Sequence, residues 1–401
     1  MSFLLAIAVS VLAIFFDILL RLLKPKEVFC TGTRRVQQAR QGRNILNHST
    51  LEERAKPNER LVRVFEIENA FTTTDPTWHK EFVALVKTLL RTSDKDWKEH
   101  ADFASDTIHQ VVDTTSTQST LELTVQALVF RLVIVKFFPD TPAPSMQDIH
   151  FITLQINSLW IASKYCNSGD SELVSAKMHL RKRIQQVFGS DTADGQNNPL
   201  NIILPAYETL WRIVLRTFLE VRFRSTITER EQYRILFRDF MDKPSKDSFE
   251  QQNESHASVH TVVTEALRLY PPTRRIYRDI SGERVAIDIE HLHRDENVWG
   301  KNAFLFQPTR WATENGKENK RSYMPFGAGK FECPAKSTFG PMLIGILVGA
   351  LLSGIDGKFE LNGKEGIYVL NTRPLENGRQ AYSQLGFGRR RDGDEGEAGL
   401  L

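Results

Sequence analysis

A cysteine at the head of an apolar helix is placed to act as a thiolate, and Cys333 in FGAGKFECPAK has that setting. Gly327 and Gly329 lack a Cβ, so the backbone there can turn tightly or approach a flat ligand closely. Pro334 suits the first position of a helix, where its missing N–H is no loss. This predicts that Cys333 stands at the N-terminus of the apolar run that continues to Leu352. Backbone N–H groups and the helix dipole favour negative charge at such a position. An apolar helix behind the sulfur would exclude water, which is what a soft-metal thiolate ligand needs.

Other residues have chemical potential at recognisable spacings. In TEALRLYPP, Glu265 and Arg268 lie three apart on one helical face and can pair or jointly engage a third group. In LPAYETLW, Glu208 and Thr209 follow Pro205 within an apolar stretch, and a proline inside a helix removes one hydrogen bond and kinks it. PPTRRIYR carries Arg274, Arg275 and Arg278. The pairs His256/His260 and His291/His293 have no cysteine or acidic partner that completes a zinc pattern, and read as core or surface histidines. No Walker loop or dinucleotide fingerprint occurs, so electrons for any redox chemistry must come from another protein.

The elements that must position these groups are mostly helical. The chain has 401 residues with 41% hydrophobic content, enough for a sizeable core, and a formal charge of +3 that gives no reason to expect nucleic-acid binding. Three scattered cysteines, at 30, 166 and 333, are not a disulfide framework and suit a reducing compartment. Phe3 to Leu23 is apolar apart from Ser10, Asp17 and Arg21, long enough to span a bilayer. Arg21 stands near its end and Lys24 and Lys26 follow it, so by the positive-inside rule the remainder is cytosolic behind an uncleaved anchor. Helical periodicity runs from Pro76 to about Lys136, breaks at FFPDTPAP, resumes from Met146 to Val187, and returns at 200–224 and before Pro271. Short extended pieces fill 272–322, and no internal repeat is present.

At this point the chain resembles the cytochromes P450. Phe326, Gly329 and Cys333, with Pro334 and Ala335 behind, resemble the haem-binding loop of that family, whose cysteine thiolate ligates iron and favours O–O cleavage. The loop departs from the family at Phe331, where a basic residue usually assists a haem propionate. Glu265 and Arg268, 68 and 65 residues before Cys333, are similar to the family's Glu-x-x-Arg. Arg310 in FQPTRW resembles the arginine that completes its buried cluster. HRDENVWG is similar to the family's approach to that segment.

LPAYETLW resembles the central helix over the oxygen-binding face, where Glu208 and Thr209 would manage protons and dioxygen, although Pro205 and Ala206 replace the usual small residue and glycine. Arg278 falls where many members present a base to the haem, with Arg274 and Arg275 as competitors. The family's Trp-x-x-x-Arg clamp is missing at Trp97, whose fourth following residue is Ala101.

The resemblance implies a mainly α fold with a minor β component, P450-like, behind a single N-terminal transmembrane helix. The expected divisions are a membrane signal anchor at 1–23, a linker and domain edge at 24–75, and a haem domain at 76–388, best matched over 198–388. A disordered charged tail would occupy 389–401. It implies haem b with Cys333 as axial ligand, oxidation of a lipophilic small molecule, and electrons from NADPH–cytochrome P450 reductase with cytochrome b5 as a further partner. An endoplasmic reticulum location follows, with the catalytic part cytosolic. The wording of LPAYETLW and PPTRRIYR looks most like fungal members of secondary metabolism, with a shortened N-terminal half. Two other readings stay open: a P450-type isomerase or dehydratase, and a haem-free, membrane-anchored interaction protein.

Overall fold

In the computed structural model, many helix starts follow side chains that satisfy free backbone N–H groups. The structure describes residues 32–114, 120–165, 170–189, 195–312, 319–355, 359–371 and 373–389. The expected anchor at 3–23 lies outside them, as does the tail beyond Arg389. Among the described residues no helix is long and apolar enough to cross a membrane.

After the short strand β1 (Arg34–Val36) come helices α1 (Ala39–His48), α2 (Leu51–Ala55) and α3 (Glu59–Phe65), so most of the segment read as linker and domain edge has regular structure. Then follow α4 (Pro76–Leu89), α5 (Asp94–Thr114), α6 (Leu121–Phe137), α7 (Met146–Ala162) and α8 (Ser171–Phe188). Asp75, Thr120, Ser145 and Asp170 each accept a backbone N–H at the start of the helix that follows. The helical stretch expected at 146–187 is therefore two helices, the second newly capped at Asp170.

Next come α9 (Leu200–Leu219), which continues as one π-helical turn to Arg224, α10 (Ile227–Asp242), α11 (Lys246–Glu250) and α12 (Val259–Leu269). Strands β2 (Arg275–Ile280) and β3 (Glu283–Asp288) form a hairpin through Ser281 and Gly282, both at positive φ, as a two-residue turn of that twist demands. Helices α13 (Ile289–Arg294), α14 (Glu296–Trp299) and α15 (Phe339–Gly354) follow, then β4 (Phe359–Asn362), α16 (Gly363–Asn371) and β5 (Gly386–Arg389). β1 pairs in parallel with β3, β3 pairs antiparallel with β2, and β4 pairs antiparallel with β5.

Helix α6 packs on α5 and α9, and α15 packs on α5, α6, α9, α10 and α12. α6 and α15 are buried on nearly every side, which is why their sequences are apolar all round rather than striped. A smaller core of Val36, Leu46, Val285, Ile287, Leu292, Met324 and Ala328 ties the three-stranded sheet to the loop that carries Cys333. Mainly helical with minor sheet, the architecture agrees with the fold class expected.

Candidate active site

The cysteine loop is built from backbone hydrogen bonds. Cys333 N donates to Phe326 O at 3.0 Å, Gly327 N to Met324 O at 3.1 Å, and Glu332 N to Gly329 O at 3.0 Å. Gly327 and Gly329 have φ of +76° and +73°, where a side chain is strained. A Cβ on Gly329 would lie 2.6 Å from Asn47 Oδ1 and 2.8 Å from Leu46 O, so only glycine fits against the end of α1.

One expectation is corrected here. α15 begins at Phe339, not at Pro334, and residues 334–338 form turns closed by Lys336 N to Cys333 O and Gly340 N to Ala335 O. The proline in the first helical turn is Pro341, whose absent N–H costs nothing there. Cys333 therefore has no helix N-terminus directly behind it. Its side chain is exposed, yet crowding protein pushes the thiol above its ordinary pKa by desolvation, opposed by the Ala335 backbone and the Arg54 charge. A thiolate here would depend on a metal to displace the proton.

Glu265, Arg268 and Arg310 come together in the structure. Arg268 Nε and Nη2 grip the two Glu265 oxygens at 2.8 Å each, and Arg310 Nε reaches Glu265 Oε1 at 3.3 Å. Trp311 Nε1 and Gln307 N donate to the same carboxylate at 3.0 Å. Arg268 Nη1 spends its hydrogens on the carbonyls of His293 and Ala303, both at 2.7 Å. Glu265 and Arg268 side chains are fully buried, which is tolerable because the charges are paired and so many polar atoms are satisfied.

His293 links this cluster to the cysteine loop. Its Nδ1 donates to Arg268 O at 3.0 Å and its Nε2 accepts Met324 N at 2.8 Å, so the ring must be neutral with the proton on Nδ1. Burial and the Arg268 charge hold its pKa down to about 3. His291, His256 and His260 are exposed, and among the described residues no group of side chains could hold a metal through several protein ligands.

On α9, Pro205 leaves the Asn201 carbonyl without its helical donor, and Asn69 Nδ2 takes that place at 3.2 Å. The helix continues through the proline. Partial exposure over residues 201–210 is confined to Ile202, Pro205, Ala206 and Thr209, one stripe along an otherwise buried helix. Thr209 Oγ1 donates to Pro205 O at 3.0 Å, which leaves its lone pairs free to accept from that open side. Glu208 is turned off the stripe and buried, bonded to Arg379. The structure thus separates the two residues that the resemblance paired: Thr209 faces the open side, and Glu208 does not.

Phe331 stands among cations. The Arg54, Lys330 and Arg278 charges lie 4.6, 5.0 and 5.8 Å from its ring centre, and His79 meets it edge-on at 5.5 Å. Arg274 is paired with Glu290 at 2.6 Å and Arg275 with Asp288 at 3.4 Å. Arg278 is buried, and its Nε has no partner among the described residues. Of the three arginines in PPTRRIYR, it is the one not committed to a carboxylate. Trp97 is buried against Phe339, a core contact. An open sulfur, an uncommitted buried guanidinium and an open helix stripe are what a metalloporphyrin with anionic side arms would need.

Sequence reasoning missed Arg54, Arg379 and the role of His293. Arg54 and Arg379 belong to no local pattern, and His293, although it opens HRDENVWG, meets its partners Arg268 and Met324 only through long-range contact.

Residues 257–354 match the family model Cytochrome P450. Cytochrome P450 714A2 of Arabidopsis thaliana is 34% identical over 110 residues, 24% of this chain and 21% of that protein. The cytokinin hydroxylase of the same plant is 31% identical over 137 residues, 31% of this chain and 26% of that protein. The aligned segments span between 16% and 35% of the length of the curated relatives that the chain matches. The solved structure of CYP175A1 from Thermus thermophilus superposes with a TM-score of 0.59 over 82% of both chains, at 14% identity, a likeness of fold. The fold is that of the cytochromes P450. The family model and the relatives support that family for the segment that carries Glu265, Arg268, Arg310 and Cys333.

Proposed function

We propose that this protein is a haem-thiolate monooxygenase that hydroxylates or epoxidises a lipophilic small molecule. Cys333 carries the reading: an open cysteine in a glycine-shaped loop, inside the segment that matches the P450 family model. Haem b, when bound, supplies iron that activates O2 for attack on an unreactive carbon. The residues that would hold it are Cys333 through its sulfur, Arg278 through its charge on the carboxylates, and Phe326 and Gly329 through the shape of the loop. The Glu265–Arg268–Arg310 cluster and His293 fix that loop from behind. Thr209 offers acceptor lone pairs on the open side of α9 and would hold water or dioxygen there. Glu208 can contribute a proton only when Arg379 yields it.

The reading extends to a single-pass anchor at 3–23 in the endoplasmic reticulum membrane, with the catalytic part in the cytosol. The apolar run and the basic residues after it support this. NADPH–cytochrome P450 reductase would supply electrons, with cytochrome b5 as a second donor, and the substrate would belong to fungal secondary metabolism. A second reading, isomerase or dehydratase chemistry at the same haem, is favoured by the engagement of Glu208 with Arg379. It predicts that Thr209→Ala leaves turnover intact.

The test is the reduced CO-difference spectrum of the full chain. A thiolate-type Soret band is expected in the wild type, retained in Cys30→Ala and Cys166→Ala and abolished in Cys333→Ala. A wild type that takes up no haem in a haem-replete host would overturn the enzyme reading.

A further inference from the structure

We infer that Arg54 supplies the positive charge missing at Phe331, and that with Arg278 it forms a two-guanidinium grip on the paired carboxylates of the bound porphyrin. This rests on the haem-thiolate reading and adds a residue that no local motif contains.

The geometry is specific. Arg54 and Arg278 come from different elements, α2 and β2, which pack together, and both are buried, at 8% and 5% exposure. Their guanidinium groups lie 4.6 and 5.8 Å from the ring centre of Phe331, the residue two before the cysteine. Neither has a carboxylate contact among the described residues. Arg54 makes a side-chain contact to His79 Nε2 at 3.3 Å, and Arg278 Nη1 donates to Tyr277 O at 2.8 Å while its Nε is unpartnered. Each depresses the stability of its own charge by burial, and the charge on Arg278 further disfavours that on Arg54.

The nearby acids are committed elsewhere. Glu53 closes the capping box of α2, accepting Thr50 N at 2.9 Å, and Glu332 pairs with Lys336 at 2.6 Å. Two buried like charges without a counterion are unstable as they stand, and a dianion close to Cys333 resolves them. Porphyrin propionates have that charge, and a guanidinium binds a carboxylate in bidentate fashion. Phe331 then serves as the platform on which Arg54 stacks, which orients the cation without donating a hydrogen bond itself.

The experiment compares two porphyrins in the haem-stripped full chain: iron protoporphyrin IX and its dimethyl ester, which lacks the carboxylates. Soret titration of the wild type should show preference for the diacid. Arg54→Gln should weaken diacid binding about tenfold or more and leave ester binding unchanged, since a charged hydrogen bond is removed. Arg54→Gln/Phe331→Arg should restore the preference, because the charge returns two residues before Cys333; the rescue also guards against a simple folding defect. A wild type that prefers the diacid together with an Arg54→Gln variant that prefers it equally would overturn the role of Arg54. A double variant that fails to recover the preference, although folded by circular dichroism, would overturn the equivalence of the two positions. A wild type that binds neither porphyrin would instead defeat the haem reading itself.

Discussion

Arg379 Nη1 donates directly to Glu208 Oε2, joining the segment after α16 to the middle of α9, 171 residues earlier. Arg379 also reaches Asn157 Oδ1 at 3.3 Å and lies over the Trp160 ring at 4.7 Å, so one guanidinium ties α9 to α7. The other Glu208 oxygen, Oε1, has no partner among the described residues. Arg379→Met should therefore leave a buried carboxylate unpaired and cost about 3–5 kcal/mol. Glu208→Gln added to Arg379→Met should recover part of that loss. Urea unfolding of the two single variants and the double gives the coupling, and strictly additive effects would show that the pair does not stabilise the fold.

Arg268→Lys is expected to be nearly as damaging as Arg268→Ala. The guanidinium spreads its donors over both oxygens of Glu265 and the carbonyls of His293, Ala303 and Leu305, and an ammonium cannot reproduce that planar fork. A loss of about 3 kcal/mol or more is expected in denaturant unfolding. A lysine variant within about 1 kcal/mol of wild type would contradict this account of the cluster.

The two glycines of the cysteine loop should rank differently. Both positions have positive φ, so alanine is strained at either. At Gly329 the new methyl would also collide with Asn47 and the backbone of Leu46, whereas at Gly327 its nearest neighbour is Ile276 Cδ1 at a comfortable 3.6 Å. Gly329→Ala should destabilise by about 1–3 kcal/mol more than Gly327→Ala, since overpacking adds to strain. Thermal unfolding of the two variants side by side decides it.

His293 predicts an acid-sensitive loop. Its pKa is held at about 3 in the fold against 6.5 as a free side chain. Between those values the unfolded chain binds a proton that the folded chain refuses, so stability rises with pH through that window. The contribution is fully present above about 6.5 and is lost progressively towards 3. His293→Gln, which cannot titrate, should be less stable near neutrality but show a shallower decline from pH 6.5 to 4. Parallel slopes in urea midpoints across that range would count against a buried neutral histidine.

Much of the site was legible because its parts are local or carried by a family loop. Glu265 and Arg268 are one helical turn apart, so pairing follows from spacing, and Gly327 and Gly329 announce the turn before Cys333. The start of α15 was misplaced because either Pro334 or Pro341 can begin a helix. The backbone bonds around Ala335 and Gly340 settled that choice.

Residue types alone determined that this chain would be mostly helical and that Cys333 was the residue to watch. Apolar runs without a polar face cannot lie at a surface, and a turn at positive φ demands glycine. Only the tertiary structure decided what faces what. Adjacent Pro205 and Ala206 both border the open stripe of α9, so spacing along the helix does not by itself part Glu208 from Thr209; the tertiary partner does. Arg379 claimed the first and left the second. Packing of α2 on the β2–β3 hairpin likewise set Arg54 over Phe331, replacing by long-range contact a charge that the local sequence lacks.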